Sequence, residues 1–459
     1  MKTRRLIFSK ARGTFVKTFV AVLLVVAVSG MGSIISESDI RVSVEQQDGG
    51  VVRLTYDIGR ARRQLIFGEL DAGHRERRWK IETPGVKLVR LADGDRIHRI
   101  TGERFNTVTL TAAPDLIRIP KNYQPLSRYG DGGVMFFTGH FWPVTTRGGR
   151  VNTTFSFTPA DGSKVVAFGK REDRLTDWRS PLAHPAFVYM GPLEPVETPD
   201  VMAVVDPDAP AWIEQEFYEL TPKAFAHLAD IFGFTLLTKP NLFLAAPLGP
   251  DESRLSYSGD ALPAQFQITL EGRAWQKKTG QTVRLFRRST IHEAVHLWQA
   301  VTRPTAEDVA EWIHEGAAEA IAAEVMTSLD LWTKKAHDKN FSNAQETCAR
   351  ELEKGSLDEA EERGDYRALY ACGHVIAVAV AYADGSSTAA FWNEFVQRGM
   401  ARDGYTEEMF YDLVEERTGD RPFTERLRLF VTTQPGNAAR AIDDLLGAAV
   451  APLAQGGAR

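Results

Sequence analysis

The sequence predicts a chain of two folded parts: an N-terminal antiparallel β-sandwich over residues 39–205, then an α+β part over 206–450 that ends mainly helical. Three observations carry this. Up to about Lys170, apolar and polar residues alternate in short runs, the period of a half-buried strand. Beyond about Ala209 the period lengthens to that of an amphipathic helix. A chain of 459 residues is also too long for one simple core.

The first element is neither. Residues 1–38 begin MKTRRLIFSKARGTFVK, rich in Lys and Arg and without an acid, and run into an apolar core from Phe19 to Val28. A basic segment followed by a short apolar one is the pattern of an export signal. Small residues at Ala27 and Ser29 suit cleavage after Ser29, giving a periplasmic or secreted protein. The apolar stretch weakly continues to Ile35, and left uncleaved it is a membrane anchor. On either reading the body of the protein is expected outside the cytoplasmic membrane, and 1–38 is the segment that would meet the membrane.

The strands follow. RVSVEQQDGGVVRLTYDI alternates, turns at Asp48-Gly49-Gly50 and alternates again. FNTVTLT, GGVMFF and TTFSFTPADGSKVVAFGK repeat the habit, the last with a turn at Asp161-Gly162. The Pro-rich passage from Pro181 to Pro210 reads as a linker or irregular joint. Thr221-Pro222 has the chemistry of a helix start, and Gly233 that of a stop. NLFLAAP and AQFQITL are short apolar strands, the second with Phe266, Ile268 and Leu270 on one face. From Thr290 helices dominate to about Leu446, and 451–459 is a frayed tail.

Composition is ordinary for a globular protein, 43% hydrophobic and 25% charged. With a net charge of -5 there is no concentrated basic face, so nucleic acid is not an expected partner. The two cysteines, Cys348 and Cys372, have no second Cys or His at ligand spacing. They form either a disulfide, as an oxidising compartment permits, or two buried thiols.

The chemistry concentrates in STIHEAVHLWQAV, Ser289 to Val301. Residues four apart share a helix face, so His292 and His296 can aim ring nitrogens at one ion. Zinc takes imidazole nitrogen and carboxylate oxygen, and a catalytic site uses three protein ligands plus a water. Glu293 sits beside the first histidine and can reach that water, whose pKa the metal lowers and whose proton the carboxylate takes. Thr290-x-x-Glu293 is equally the pattern of a capping box, in which Glu293 would only tie down a helix start. EWIHEGAAEAIAAEV then offers Glu315 on a second helix, eighteen residues (Leu297 to His314) beyond His296.

HEAVHLWQ followed at that spacing by WIHEGAAEA resembles the zinc signature of the gluzincin peptidases, in particular the aminopeptidase-N-like and glycyl-aminopeptidase-like families. His314 and Ala317 stand where those families typically carry Asn and Phe. The resemblance implies a thermolysin-like α+β zincin domain with one Zn2+ per chain. It assigns His292, His296 and Glu315 as ligands and Glu293 as general base. Glu319, one turn after Glu315, becomes a candidate partner for the other ring nitrogen of His292. FAHLADIFGFTLLTKPNLFLAAP is similar to the helix and strand that open the peptidase domain. LYACGHVIA is similar to a segment that supplies an oxyanion-stabilising tyrosine. Tyr370 takes that position, with Cys372 where those proteins have lysine, and Tyr366, one turn earlier, is its rival. The later helices fit the families' closing helical subdomain, and the N-terminal β region suits the sandwich that precedes such domains.

One departure bears on specificity. Aminopeptidases of this kind carry Gly-Ala-Met-Glu-Asn on an edge strand, whose Glu binds the substrate's free amine. The corresponding place here is GDALPAQFQITL, where Asp260-Ala261-Leu262-Pro263-Ala264 contains no glutamate. Asp260, Ala261 and Leu262 are the candidate substrate-binding residues. The expected function is an exported zinc-dependent peptidase acting on peptide or protein substrates without strict aminopeptidase specificity. The alternative is a non-catalytic, zinc-containing binding protein on the same fold. Four protein ligands closing the site would favour that alternative, and an open position would favour the enzyme.

Overall fold

The computed structural model describes residues 39–456 apart from 71–72, 115–122, 181–183, 301–309 and 403. The expected export leader, residues 1–38, lies outside the described residues.

The alternating pattern does form strands. In Ile40–Gln46 every second side chain is buried, and the strand pairs antiparallel with Val52–Arg62, Val42 opposite Tyr56 and Val44 opposite Leu54. The turn between them holds Gly49 and Gly50 at positive φ, a conformation that glycine adopts without penalty. A six-stranded sheet runs Leu175–Trp178, Thr153–Thr158, Ile40–Gln46, Val52–Arg62, Phe105–Ala112, Trp79–Ile81. A five-stranded sheet runs Lys170–Glu172, Lys164–Ala167, Phe187–Gly191, Val134–Phe137, Leu126–Arg128. A third, three-stranded sheet is formed by Gln64–Phe67, Gly94–Arg99 and Val86–Leu91. Val44, Leu54, Phe67, Ile97, Phe136 and Val188 draw all three onto one core.

The structure corrects the sequence in three respects here. The pairing is not wholly antiparallel: Ile40–Gln46 runs parallel to Thr153–Thr158, with Ile40 against Thr153. The Asp161-Gly162 turn joins strands of two different sheets, so it is a crossover and not a hairpin. The Pro-rich passage is also no mere linker. It contains Phe187–Gly191, buried throughout, and then Val196–Glu197 and Met202–Val205. Its described prolines fall outside these strands, where no ladder donor is missed.

The second part is built on a five-stranded sheet in the order Val196–Glu197, Met202–Val205, Asn241–Ala245, Gln265–Glu271, Ser256–Leu262. The sheets therefore divide ahead of Val196. Phe266, Ile268 and Leu270 face the helices, as the alternation predicts. After the short helix α1 (His74–Arg78), the helices are α2 (Ala211–Phe232), α3 (Gly280–Gln299), α4 (Glu311–Ser328), α5 (Lys334–Leu352), α6 (Tyr366–Asp384), α7 (Thr388–Met400), α8 (Glu407–Thr418), α9 (Arg421–Thr432) and α10 (Ala438–Gly456). Gly233 ends α2 in the left-handed conformation, but Thr221-Pro222 lies inside that helix and does not start it. The ring costs one backbone bond, and the Thr221 hydroxyl donates to the Phe217 carbonyl at 2.6 Å, so packing of Phe217, Leu220 and Phe225 prevails over the local break. Cys348 and Cys372 are disulfide-bonded, tying α5 to α6.

Candidate active site

Helix α3 begins ten residues earlier than its sequence suggests. Its N-cap is Thr279, which forms a capping box with Thr282. Thr290 and Glu293 are therefore in mid-helix. The Thr290 hydroxyl donates to the Phe286 carbonyl one turn back, and the capping-box reading of Glu293 falls away. Its carboxylate is free for chemistry.

His292 and His296 project from the same face of α3, and Glu315 reaches them from the second turn of α4. Nε2 of His292 and Nε2 of His296 are 3.0 Å apart, and each is 3.2 Å from Oε2 of Glu315. Ligands of a tetrahedral zinc at 2.0–2.1 Å lie about 3.3 Å from one another. The triangle of two imidazole nitrogens and one carboxylate oxygen thus fits one face of such a site, and the three residues are positioned to hold a metal ion. Among the described residues no fourth protein ligand joins the group.

Glu293 is 5% exposed and beside the triangle. Burial pushes its pKa up to about 8; protonated His292 pulls it down, while Asp260, Glu315 and Glu319 push the same way as burial. Gly259 on the strand Ser256–Leu262 makes this placement feasible, because a Cβ there would overlap the Glu293 carboxylate. Burial opposes the charge of His292, but the Glu315 hydrogen bond and the charges of Glu319 and Glu293 win and raise it to about 9.

The Glu319 carboxylate faces Nδ1 of His292 at 3.5 Å, an electrostatic contact slightly longer than a hydrogen bond. It also pairs with Arg288, which lies one turn before His292. Of the two tyrosines, Tyr370 is the one against the cluster. Its ring lies 5.8 Å from that of His292, nearly parallel, and its hydroxyl is hydrogen-bonded to Glu315. Burial, then the charges of Glu315 and Glu293, raise its pKa well above the ordinary phenol value. Tyr366 lines the cleft one turn further out.

The cluster opens into a cleft of about 1260 Å³. One wall is Ser256–Leu262, the outermost strand of its sheet, whose residues Ser256 to Ala261 line the cleft in succession. Asp260 and Ala261 fall where the sequence placed them, Asp260 accepting from the Gln267 amide. Leu262 does not. It lies at the end of the strand and packs into the core with Tyr129 and Phe243. Glu271 is held by Arg254 at the far end of the wall. Sequence reasoning missed Gly259, Arg288 and Gln299. The last two were findable: Arg288 is four before His292 and Gln299 three after His296, both on the ligand face of α3.

No protein-family model matches the sequence, and no curated protein matches it by sequence. Solved structures match its fold. An aminopeptidase N family protein from Idiomarina loihiensis superposes with a TM-score of 0.63 at 11% identity, covering 88% of this chain and 78% of that one. An M1 zinc metallopeptidase from Deinococcus radiodurans gives 0.50 at 16% identity, over 87% of this chain and 93% of its own. Yeast LTA4 hydrolase in complex with bestatin gives 0.52 at 12% identity, over 86% and 67%. The fold is thus that of the M1 metallopeptidases, a β-sheet N-terminal part followed by a helical C-terminal part.

Proposed function

We propose that the chain is a zinc-dependent peptidase that hydrolyses peptide bonds with a metal-activated water. The observation that carries this is the convergence of His292, His296 and Glu315 beside a buried, uncapped Glu293. Bound there, Zn2+ would supply Lewis acidity and lower the pKa of a coordinated water. Glu293 is placed to take the proton of the attacking water and later to deliver it to the leaving amine. Tyr370 donates its hydroxyl to the developing oxyanion, the position next to Glu315 favouring it over Tyr366. The strand Ser256–Leu262 pairs with an extended substrate backbone. Three ligands, and no fourth among the described residues, favour the enzyme over a structural zinc clip.

The finer reading is a peptidase without strict aminopeptidase specificity. The edge strand carries no glutamate, and its one acid in the cleft, Asp260, is engaged by Gln267. The body is exported. The Cys348–Cys372 disulfide supports this, since such bonds persist in oxidising compartments. Mass spectrometry of the native N-terminus distinguishes cleavage near Ser29 from an intact anchor, and a cytosolic location would reject both.

The test of the activity compares wild type with Glu293→Gln. Both should hold about one zinc per chain, and only wild type should cleave a peptide library. Equal cleavage would remove Glu293 from the chemistry, and no cleavage by either would turn the reading to the binding protein. A peptide and its N-acetylated form should be cleaved at similar kcat/KM; a hundredfold loss on acetylation, about 2.7 kcal/mol, would reveal an amine anchor.

A further inference from the structure

We infer that Gln299 is the positioning residue that presents His296 to the metal; the inference rests on the metal-centre reading above. A histidine that ligates through Nε2 must carry its proton on Nδ1. In His296, Nδ1 lies 2.7 Å from Oε1 of Gln299. The orientation of that amide is fixed from its other end. Nε2 of Gln299 lies 3.1 Å from the carbonyl oxygen of His314, which can only accept. The nitrogen therefore donates to His314, and the oxygen must face His296. An amide oxygen accepts only from N–H, so the proton sits on Nδ1 and the lone pair of Nε2 is turned to the triangle.

Two features keep this arrangement from relaxing. Gln299 is fully buried, so water cannot take over either bond. Its anchor, His314, is itself held: its ring stacks on that of His296 at 4.5 Å and 19°, and its Nδ1 is 2.8 Å from the Tyr405 hydroxyl. His314 immediately precedes the ligand Glu315. The Gln299 amide thus ties the two ligand helices, α3 and α4, to each other as well as fixing the tautomer of one ligand.

The experiment measures zinc affinity by competition with a chromogenic chelator for wild type, Gln299→Leu and Gln299→Glu. It adds long-range 1H–15N spectra of the histidine rings in the zinc-free proteins. Gln299→Leu keeps the volume and removes the acceptor; Gln299→Glu keeps an acceptor for His296 and loses the donor to His314. Wild type should show His296 as a single Nδ1–H tautomer. The Leu variant should show a mixture and bind zinc about 10–100-fold more weakly, with the Glu variant between. A packing role predicts the reverse order, because Leu fills the space and Glu buries a charge. A Leu variant with wild-type affinity, or with an unchanged tautomer, overturns the inference. If that variant does not fold, Gln299→Met makes the same comparison. Wild type that binds no zinc at all overturns the metal-centre reading and this inference with it.

Discussion

His140 lies buried in the N-terminal part, close to an ion pair that is itself out of water. Arg75 donates through Nε and Nη2 to the carbonyl of His140 and through Nη1 to Asp95. The ring Nε2 of His140 is 2.7 Å from the Tyr123 carbonyl, so the neutral ring is satisfied as donor. Burial, and then the Arg75 charge, hold its pKa down at about 3, against 6.5 when exposed. The unfolded chain therefore binds a proton between those values that the native chain refuses. Stability from this residue is fully present above pH 6.5 and is lost at about 1.4 kcal/mol per unit as pH falls toward 3. His140→Gln keeps a donor for Tyr123 and cannot titrate. Urea midpoints at pH 7, 6 and 5 should fall less steeply for the variant by that slope, whatever its offset in stability. Parallel profiles would mean that the ring is protonated in place. Nothing in the sequence marks His140, because its state depends on a 65-residue-distant arginine. His292 and His296 were legible for the opposite reason: their spacing is set by one helix turn, whereas Glu315, on a second helix, was reached only through the eighteen-residue spacing of the resembled families.

At the scale of elements, the site depends on how closely α4 and α6 cross. Gly316 follows the ligand Glu315, and Gly373 is three residues after Tyr370. A Cβ on Gly316 would overlap the backbone of Gly373, and one on Gly373 would overlap the Trp312 carbonyl. Neither clash is with a flexible side-chain tip, so the helices would have to part. That would separate Tyr370 from Glu315 while leaving His292 and His296 together on α3. Gly373→Ala should cost about 1–3 kcal/mol or more of stability. It should lower kcat more than it raises KM, and leave zinc affinity less affected than His296→Ala does. A variant with wild-type melting and kcat would show that the crossing has slack. The sequence hinted at this contact only as Gly residues inside helices. It misplaced the starts of α2 and α3 for a related reason: a local stop or cap at Thr221-Pro222 or Thr290 is worth about 1–3 kcal/mol, less than the burial of Phe217, Phe286 and Ile291 around it.

Across the whole molecule, the change from strand to helix period was readable, because it reports which faces are buried. The joint between the two parts was not, because its pairing is non-local. Met202–Val205 runs parallel to Asn241–Ala245 some forty residues on, and the Pro-rich run before it conceals the strands. At that joint Tyr129, Phe137 and Phe187 of the first part share a core with Met202, Phe243 and Leu262 of the second. Gln265, fully buried, bridges them: its amide accepts from the Phe187 N–H at 2.9 Å and donates to the Phe187 carbonyl at 2.8 Å. Asp206 adds a carboxylate that accepts from the backbone N–H groups of Gly130 and Ala246. The described residues of the two parts belong to one compact unit, so the two parts should unfold together. Gln265→Leu would leave a buried donor and acceptor of Phe187 without partners, at about 1–3 kcal/mol each. It should lower the melting temperature monitored by tryptophan fluorescence and that monitored by zinc release to the same extent. If zinc release keeps its wild-type midpoint while the fluorescence transition splits, the β part is an independent domain. The catalytic part would then be expected to fold from residue 196 onward alone; with a shared core it should instead be insoluble when expressed without residues 39–195, since Met202, Val204 and Phe243 would lose their cover.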